Sequence, residues 1–180
     1  MLDRHSDSFM RNFLLVGDRN SGKSTLVHGA AKRLNFSCGG VISIPVTVDG
    51  KKVGTDALDI MTGKTVTLAR EDTSDGIKVG RYMLNDEGLK HGINAIYDAA
   101  GKCKLVVIDE FGPLEMGGGG MAEATDYALG KNNVLIVIRR KLKDEFLEKY
   151  RNYQFEILDA RDVDADRLVE IIENGLNRKL

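Results

Sequence analysis

A glycine-rich stretch near the start of the chain has the residue types and spacing of a phosphate-binding loop. The stretch GDRNSGKSTL, residues 17–26, fits the pattern Gly-x-x-x-x-Gly-Lys-[Ser/Thr] in full. Glycines in this pattern let successive backbone N–H groups point at a phosphate, and the N-terminus of the next helix adds its positive dipole end. The residues predicted to bind a phosphorylated ligand are Gly17, Asp18, Arg19, Asn20, Ser21, Gly22, Lys23, Ser24 and Thr25.

Two side chains of this loop carry specific expectations. The Lys23 ammonium would lie between the β- and γ-phosphates of a nucleoside triphosphate, so Lys23 is a candidate catalytic residue. The Ser24 hydroxyl would bind Mg²⁺. Asp18 is acidic within the loop, and we expect its side chain to point to solvent.

Two acids follow a later apolar run. In LVVIDE, residues 105–110, Asp109 and Glu110 would stand at the carboxyl end of a buried strand, where open α/β sheets bind ligands. Asp109 is predicted to share the Mg²⁺ ion with Ser24. Glu110 is predicted to be catalytic, orienting and deprotonating a water molecule for in-line attack. The alternative is that both acids merely open a polar loop after a core strand.

Two arginines end another apolar strand at the same predicted edge of the sheet. Arg139 and Arg140 follow VLIVI, residues 134–138. Either guanidinium could stabilise charge on a transferring phosphoryl group, so both are candidate catalytic residues. The alternative is a charged surface that caps the strand.

Apolar strands and amphipathic helices alternate along most of the chain, which is typical of an α/β fold. A mostly parallel sheet with helices on both faces is expected. The strand FLLVG, residues 13–17, precedes the phosphate loop and a helix follows it, as the motif requires. Asn85 is predicted to cap a helix that ends before Gly101. We expect a single domain over residues 1–180, with a polar extension over 1–10.

Residues 40–70 interrupt the α/β pattern. Alternating apolar residues over Ile42–Val48 and a turn at Asp49–Gly50 predict an inserted antiparallel β-hairpin. Pro45 cannot donate to a sheet ladder, so its strand is expected at an edge. The alternating pattern resumes at IKVGRYML, residues 77–84.

Four consecutive glycines, Gly117–Gly120, follow the two acids. Glycine loses much conformational freedom when it is ordered, so this segment is predicted to be mobile. It could close over the nucleotide or simply connect two elements.

Composition excludes several functional classes. Lysine and arginine total 26 and aspartate and glutamate total 27, so the basic excess typical of nucleic-acid binders is missing. The sequence has no apolar run long enough to span a membrane. Its two cysteines and three histidines show no metal-ligand spacing. These features favour a cytoplasmic protein.

Four motifs resemble, in this order, those of a known family: GDRNSGKSTL, GTDALDIMTGK, KVGRYML and VVIDEFGPLEM. The chain, from about Phe13 to Leu158, is similar to small P-loop nucleoside-triphosphatases, typified by thermophilic bacterial enzymes and a human cancer-related nucleoside-triphosphatase. The resemblance implies a RecA-like P-loop fold with an inserted β-hairpin. It also implies Mg²⁺-dependent hydrolysis of ATP or other nucleoside triphosphates to diphosphates, with Glu115 supporting the site.

The chain departs from the family's pattern at three places. After Gly40 the family usually has Phe, then Thr, acidic residues and Arg, where this chain reads VISIPVT. Arg139–Arg140 stand where the family tends to have a proline. The family's Asn-Arg pair near the carboxyl terminus has no clear match in DARDVDADR, residues 159–167.

Hydrolysis of a nucleoside triphosphate is the function predicted from these residues. Two alternatives remain open at this point. One is a small-molecule or nucleoside kinase whose acceptor pocket includes residues 40–70. The other is a nucleotide-dependent binding module with slow turnover, in which the nucleotide state is communicated to a protein partner.

Overall fold

The computed structural model of the protein describes residues 10–177, so nearly all of the predicted polar extension over 1–10 lies outside the described residues. The strands are β1 (Asn12–Gly17), β2 (Cys38–Val48), β3 (Lys51–Asp59), β4 (Thr65–Arg70), β5 (Ile77–Val79), β6 (Tyr82–Leu84), β7 (Leu105–Phe111), β8 (Asn133–Arg139) and β9 (Phe155–Asp159). The helices are α1 (Lys23–Ala31), α2 (Asp86–Ala99), α3 (Pro113–Met116), α4 (Ala122–Leu129), α5 (Lys143–Lys149) and α6 (Ala165–Asn177).

All nine strands belong to one mixed sheet, in the order β5-β6-β4-β3-β2-β7-β8-β1-β9. The half that runs from β2 through β7, β8 and β1 to β9 is parallel. The half from β2 to β5 is antiparallel. The predicted α/β class is therefore confirmed, with β8 lying between the strand of the phosphate loop and the strand of the two acids.

Helices cover both faces of the parallel half, because alternate residues of its strands point to opposite sides. In β1, Leu14 and Val16 pack under α2, α4 and α5, whereas Phe13 and Leu15 pack under α1 and α6. All four of these side chains are almost completely buried. These two hydrophobic layers anchor the strands from whose carboxyl ends the loops of the parallel half emerge.

The antiparallel half is larger than the sequence predicts. Strands β2, β3 and β4 account for the predicted insertion over residues 40–70, and the antiparallel pairing continues through β5 and β6 to Leu84. The prediction of an edge strand at Pro45 is wrong for β2 as a whole, because β2 lies between β3 and β7. Pairing with β7 ends at Val41, however, so Pro45 pairs only with Thr55 of β3 and its missing N–H leaves no gap in a ladder.

Helix α2 begins and ends where its capping residues predict. The Asn85 side chain accepts a hydrogen bond from the Gly88 N–H at 3.0 Å, and Gly101 follows the helix with φ of +83°. With 14 residues, α2 is the longest helix in the described part of the chain. Over residues 10–177, no helix combines the length and the apolar character that crossing a bilayer requires.

The contact of β2 with β7 gives a stability prediction at Gly40. Gly40 has φ of +101°, and an added Cβ would overlap the Val107 carbonyl oxygen, a backbone atom that cannot move aside alone. We expect Gly40→Ala to lower the free energy of unfolding, measured by urea denaturation, by about 3 kcal/mol or more.

Gly50 in the β2–β3 turn is the matched control, since its φ is also positive, +75°, but an added Cβ meets open space. Gly50→Ala should cost only the roughly 1–2 kcal/mol of a left-handed alanine. Equal losses in the two variants would contradict the steric argument.

Candidate active site

The phosphate loop lies between β1 and α1 and has the backbone conformation of an anion-binding turn. Asn20 and Gly22 both have positive φ, +58° and +79°. Alternation of left-handed and right-handed residues directs successive N–H groups to one side. Helix α1 begins at Lys23, and no side chain of the described residues caps it. Its first N–H groups are therefore available to an anionic ligand.

Gly17 and Lys23 show how tightly this loop closes. A Cβ on Gly17 would lie 2.8 Å from Ser21 Oγ and 2.9 Å from Lys23 Cδ, so a larger residue would have to displace these two side chains from the loop. The Lys23 ammonium donates to the Asp18 carbonyl oxygen and, at 3.4 Å, to Ser21 Oγ. The charged end of Lys23 is thus held at the loop.

Charged groups from two strands, β7 and β8, surround Lys23. Burial lowers the pKa of Lys23 below its usual value, and the negative charges of Asp109 and Glu110 offset only part of this shift. Arg139 acts in the opposite direction, as a nearby positive charge. The fold therefore brings the phosphate loop, the two acids and Arg139 to the same edge of the sheet.

Asp109 is the buried acid of the site, with 3% of its surface exposed. Its carboxylate accepts hydrogen bonds from the N–H of Ser43 at 3.0 Å and of Glu110 at 2.8 Å. Burial raises the pKa of Asp109, as does the adjacent Glu110 charge, and the Ser24 hydroxyl against this carboxylate lowers it. A buried carboxylate beside a hydroxyl offers the hard oxygen ligands that Mg²⁺ prefers, and a cation there would offset the cost of burying the charge.

Glu110 is placed outward by a β-bulge. The pairing of β7 with β8 shifts between Ile108 and Phe111, so β7 has one extra residue. Glu110 takes the left-handed conformation with φ of +59°, which is costly for a residue other than glycine. Its side chain is 40% exposed, and its Oε1 lies 3.5 Å from Lys52 Nζ. The bulge separates a buried acid from an accessible one.

The segment after β7 is held by aromatic packing and by Glu115. Phe111 is buried and packs edge-to-face on Phe146, with ring centroids 5.3 Å apart. The Glu115 carboxylate accepts from the N–H groups of Gly112 at 3.0 Å and Met121 at 3.4 Å. Burial raises the pKa of Glu115.

Hydrogen bonds connect the glycine segment, for which mobility is predicted, to the residues before it. The N–H groups of Gly117, Gly118 and Gly119 donate to carbonyl oxygens of the preceding residues 113–115. Glu115 accepts hydrogen bonds on both sides of the segment. The glycines between form turns, with a positive φ of +87° at Gly118.

The two arginines have different surroundings. Arg139 pairs with Gly17 at the end of the β8–β1 ladder, beside the phosphate loop. The Arg140 guanidinium instead binds both carboxylate oxygens of Asp159 at 2.6 and 2.9 Å, and it contacts Asp18 at 3.2 Å. Asp18 keeps an exposed side chain, as expected, but it forms an ion pair with Arg140, which in turn binds Asp159 of β9.

Two residues of the site were not identified from the sequence. Ser43 contributes a backbone N–H and Lys52 an ammonium, both from the antiparallel half of the sheet. Only the predicted Asp49–Gly50 turn pointed towards Lys52, because it placed this lysine near the tip of the hairpin.

Comparison with known proteins shows the family. A family model described as NTPase matches residues 12–173. The nucleoside-triphosphatase THEP1 of Methanosarcina acetivorans is 32% identical over 177 residues, covering 95% of this chain and 99% of the relative. The protein of the same name from Methanosarcina barkeri is 33% identical over 171 residues, covering 92% and 97%.

Solved structures show the same fold. The crystal structure of THEP1 from the hyperthermophile Aquifex aeolicus superposes with a TM-score of 0.72 at 20% identity, over 93% of this chain and 99% of the other. The solution structure of a human cancer-related nucleoside triphosphatase gives 0.68 at 19% identity, over 94% and 100%. The chain belongs to the NTPase family, which confirms both the resemblance to small P-loop nucleoside-triphosphatases and the prediction of an enzyme of that class.

Proposed function

We propose that the protein hydrolyses nucleoside triphosphates to nucleoside diphosphate and phosphate with Mg²⁺, using a water molecule activated by Glu110. The supporting observation is the position of Glu110, an accessible carboxylate at the carboxyl end of β7 whose negative charge raises the pKa of Lys23 in the phosphate loop. This arrangement suits attack by water on the phosphoryl group that Lys23 binds.

The phosphate loop would supply most of the binding. Backbone N–H groups of residues 17–25 would donate to the phosphate oxygens, aided by the dipole of α1. On binding, the Lys23 ammonium would exchange its contacts with Asp18 and Ser21 for the β- and γ-phosphates.

Ser24 and Asp109 would hold the Mg²⁺ ion. When bound, the ion would supply positive charge to the phosphate oxygens. Among residues 10–177 no cluster of three acidic, cysteine or histidine side chains has metal-binding geometry. One hydroxyl and one carboxylate suffice for this ion, since Mg²⁺ is typically bound by one or two carboxylates, phosphates and water.

Glu110 would act as the general base. The water oxygen forms a bond to the γ-phosphorus while the bond from that phosphorus to the β–γ bridging oxygen breaks, and the diphosphate leaves with this oxygen. The proton lost by the water passes to the Glu110 carboxylate. Asp109 holds the Glu110 N–H at 2.8 Å, so the bulge that directs this carboxylate is fixed from within the site.

The substrates proposed are ATP and other nucleoside triphosphates in the cytoplasm. Both cysteines, Cys38 and Cys103, are free thiols, as is usual there. Because the protein has a formal net charge of −1, we do not expect it to bind nucleic acid.

Replacing Glu110 tests the proposed chemistry. In Glu110→Gln, the amide cannot accept the water proton, so kcat should fall about 100-fold or more while nucleotide affinity is kept. Phosphate release would be measured for the common ribo- and deoxyribonucleoside triphosphates, with Mg²⁺ and with EDTA. An unchanged rate would remove Glu110 from the mechanism, and a phosphorylated acceptor formed in excess of free phosphate would favour a kinase.

Replacing Lys23 tests the binding step. Lys23→Ala removes the ammonium expected between the two terminal phosphates, so triphosphate affinity should fall about tenfold or more. Fluorescent triphosphate titration measures the loss, and the matched control is Lys32→Ala, at the exposed end of α1. Equal affinity of Lys23→Ala and the unaltered protein would contradict the assignment.

We expect substitution of Arg139 and substitution of Arg140 to have different effects. Arg139→Ala should lower kcat about tenfold or more, because its guanidinium lies by Lys23 and is proposed to stabilise the transferring phosphoryl group. Arg140→Ala should chiefly lower the melting temperature, because it breaks the ion pairs with Asp159 and Asp18. If Arg140→Ala lost as much kcat as Arg139→Ala at an unchanged melting temperature, the roles would be reversed.

A further inference from the structure

Lys52 connects the antiparallel half of the sheet to Glu110. Lys52 Nζ lies 3.5 Å from Glu110 Oε1, although 58 residues separate the two in sequence. Only 23% of the Lys52 side chain is exposed, so its ammonium is confined beside the site. The neighbouring Lys51 is exposed and makes no ion pair among the described residues.

The backbone of Lys52 is itself held in place by the turn between β5 and β6. Its carbonyl oxygen accepts from Arg81 Nη2 at 3.1 Å and from Tyr82 Oη at 3.3 Å. Arg81 also contacts Tyr82 Oη at 2.8 Å and forms an ion pair with Glu71 at 2.6 Å. The stretch KVGRYML, residues 78–84, therefore supports the residue that meets Glu110.

The Glu110 side chain requires a partner such as Lys52 to fix its orientation. The bulge directs its side chain away from the core, where packing does not fix the rotamer of a 40% exposed glutamate. Asp109 and Glu115 place further negative charge nearby. Lys23 is the other adjacent lysine, and the proposed function commits its ammonium to phosphate. Among the described residues, Lys52 is the one that forms an ion pair with the Glu110 carboxylate.

We propose that Lys52 is a positioning residue, whose ammonium holds the Glu110 carboxylate in the orientation that accepts the water proton. Arg81 and Tyr82 hold the backbone of Lys52 in position by donating hydrogen bonds to its carbonyl oxygen. This inference rests on the proposed function, because it gives Lys52 no role apart from Glu110.

Steady-state hydrolysis by Lys52 variants tests the proposal. Because a misoriented base slows the chemical step, Lys52→Met should lower kcat about tenfold with KM changed less than about twofold. Lys52→Arg, which keeps the charge, should recover most of the loss. Lys51→Met is the matched control and should leave both constants unchanged. Melting temperatures would show that all variants fold.

A double-mutant cycle decides whether Lys52 acts through Glu110. In the Glu110→Gln background, Lys52→Met should cause no further loss, since the group it positions is gone. The same loss in both backgrounds would overturn the proposal and indicate direct contact with nucleotide. An unchanged kcat in Lys52→Met, with Glu110→Gln inactive, would defeat this inference alone. Full activity of Glu110→Gln would defeat the proposed function, and this inference with it.

Discussion

The arrangement of the site depends on burying one carboxylate. Asp109 is almost fully enclosed, and an enclosed charge is tolerated only where hydrogen-bond donors or cations compensate it. The donors are the N–H groups of Ser43 in β2 and Glu110 in β7, and the Ser24 hydroxyl of α1 lowers the pKa of this carboxylate. Satisfying this single group therefore fixes the antiparallel half of the sheet, the bulge and the phosphate loop relative to one another.

The antiparallel half of the sheet contributes two groups to the candidate site. It supplies the Ser43 N–H at its inner end and the Lys52 ammonium near its tip. The close fit of Gly40 against Val107 keeps β2 tight against β7, so these two groups arrive at a defined distance from the acids. Local backbone strain at Glu110 is sustained because the surrounding contacts determine its conformation.

A feature could be predicted from the sequence where its cause lies within a few neighbouring residues, and not where it depends on contacts between distant segments. The phosphate loop, the capped helix α2 and the strand before the acids follow from patterns within a few residues, and all were predicted. The Lys52–Glu110 pair was missed because it joins positions 58 residues apart. Arg139 and Arg140 could not be told apart, since the partners of Arg140 lie in distant segments. Glu115 accepts hydrogen bonds on both sides of the glycine segment, a contact that the run of glycines does not reveal.

The insertion of β8 between β1 and β7 sets the width of the gap between phosphate loop and acids. Two strand-to-strand steps span about 9.5 Å, roughly the room for a phosphoryl group with one solvent molecule beside it. That width is a property of backbone hydrogen bonding, which side-chain replacement leaves intact. A chain built this way can exchange most of its residues and keep its fold, as the TM-score of 0.72 at 20% identity to the Aquifex structure illustrates.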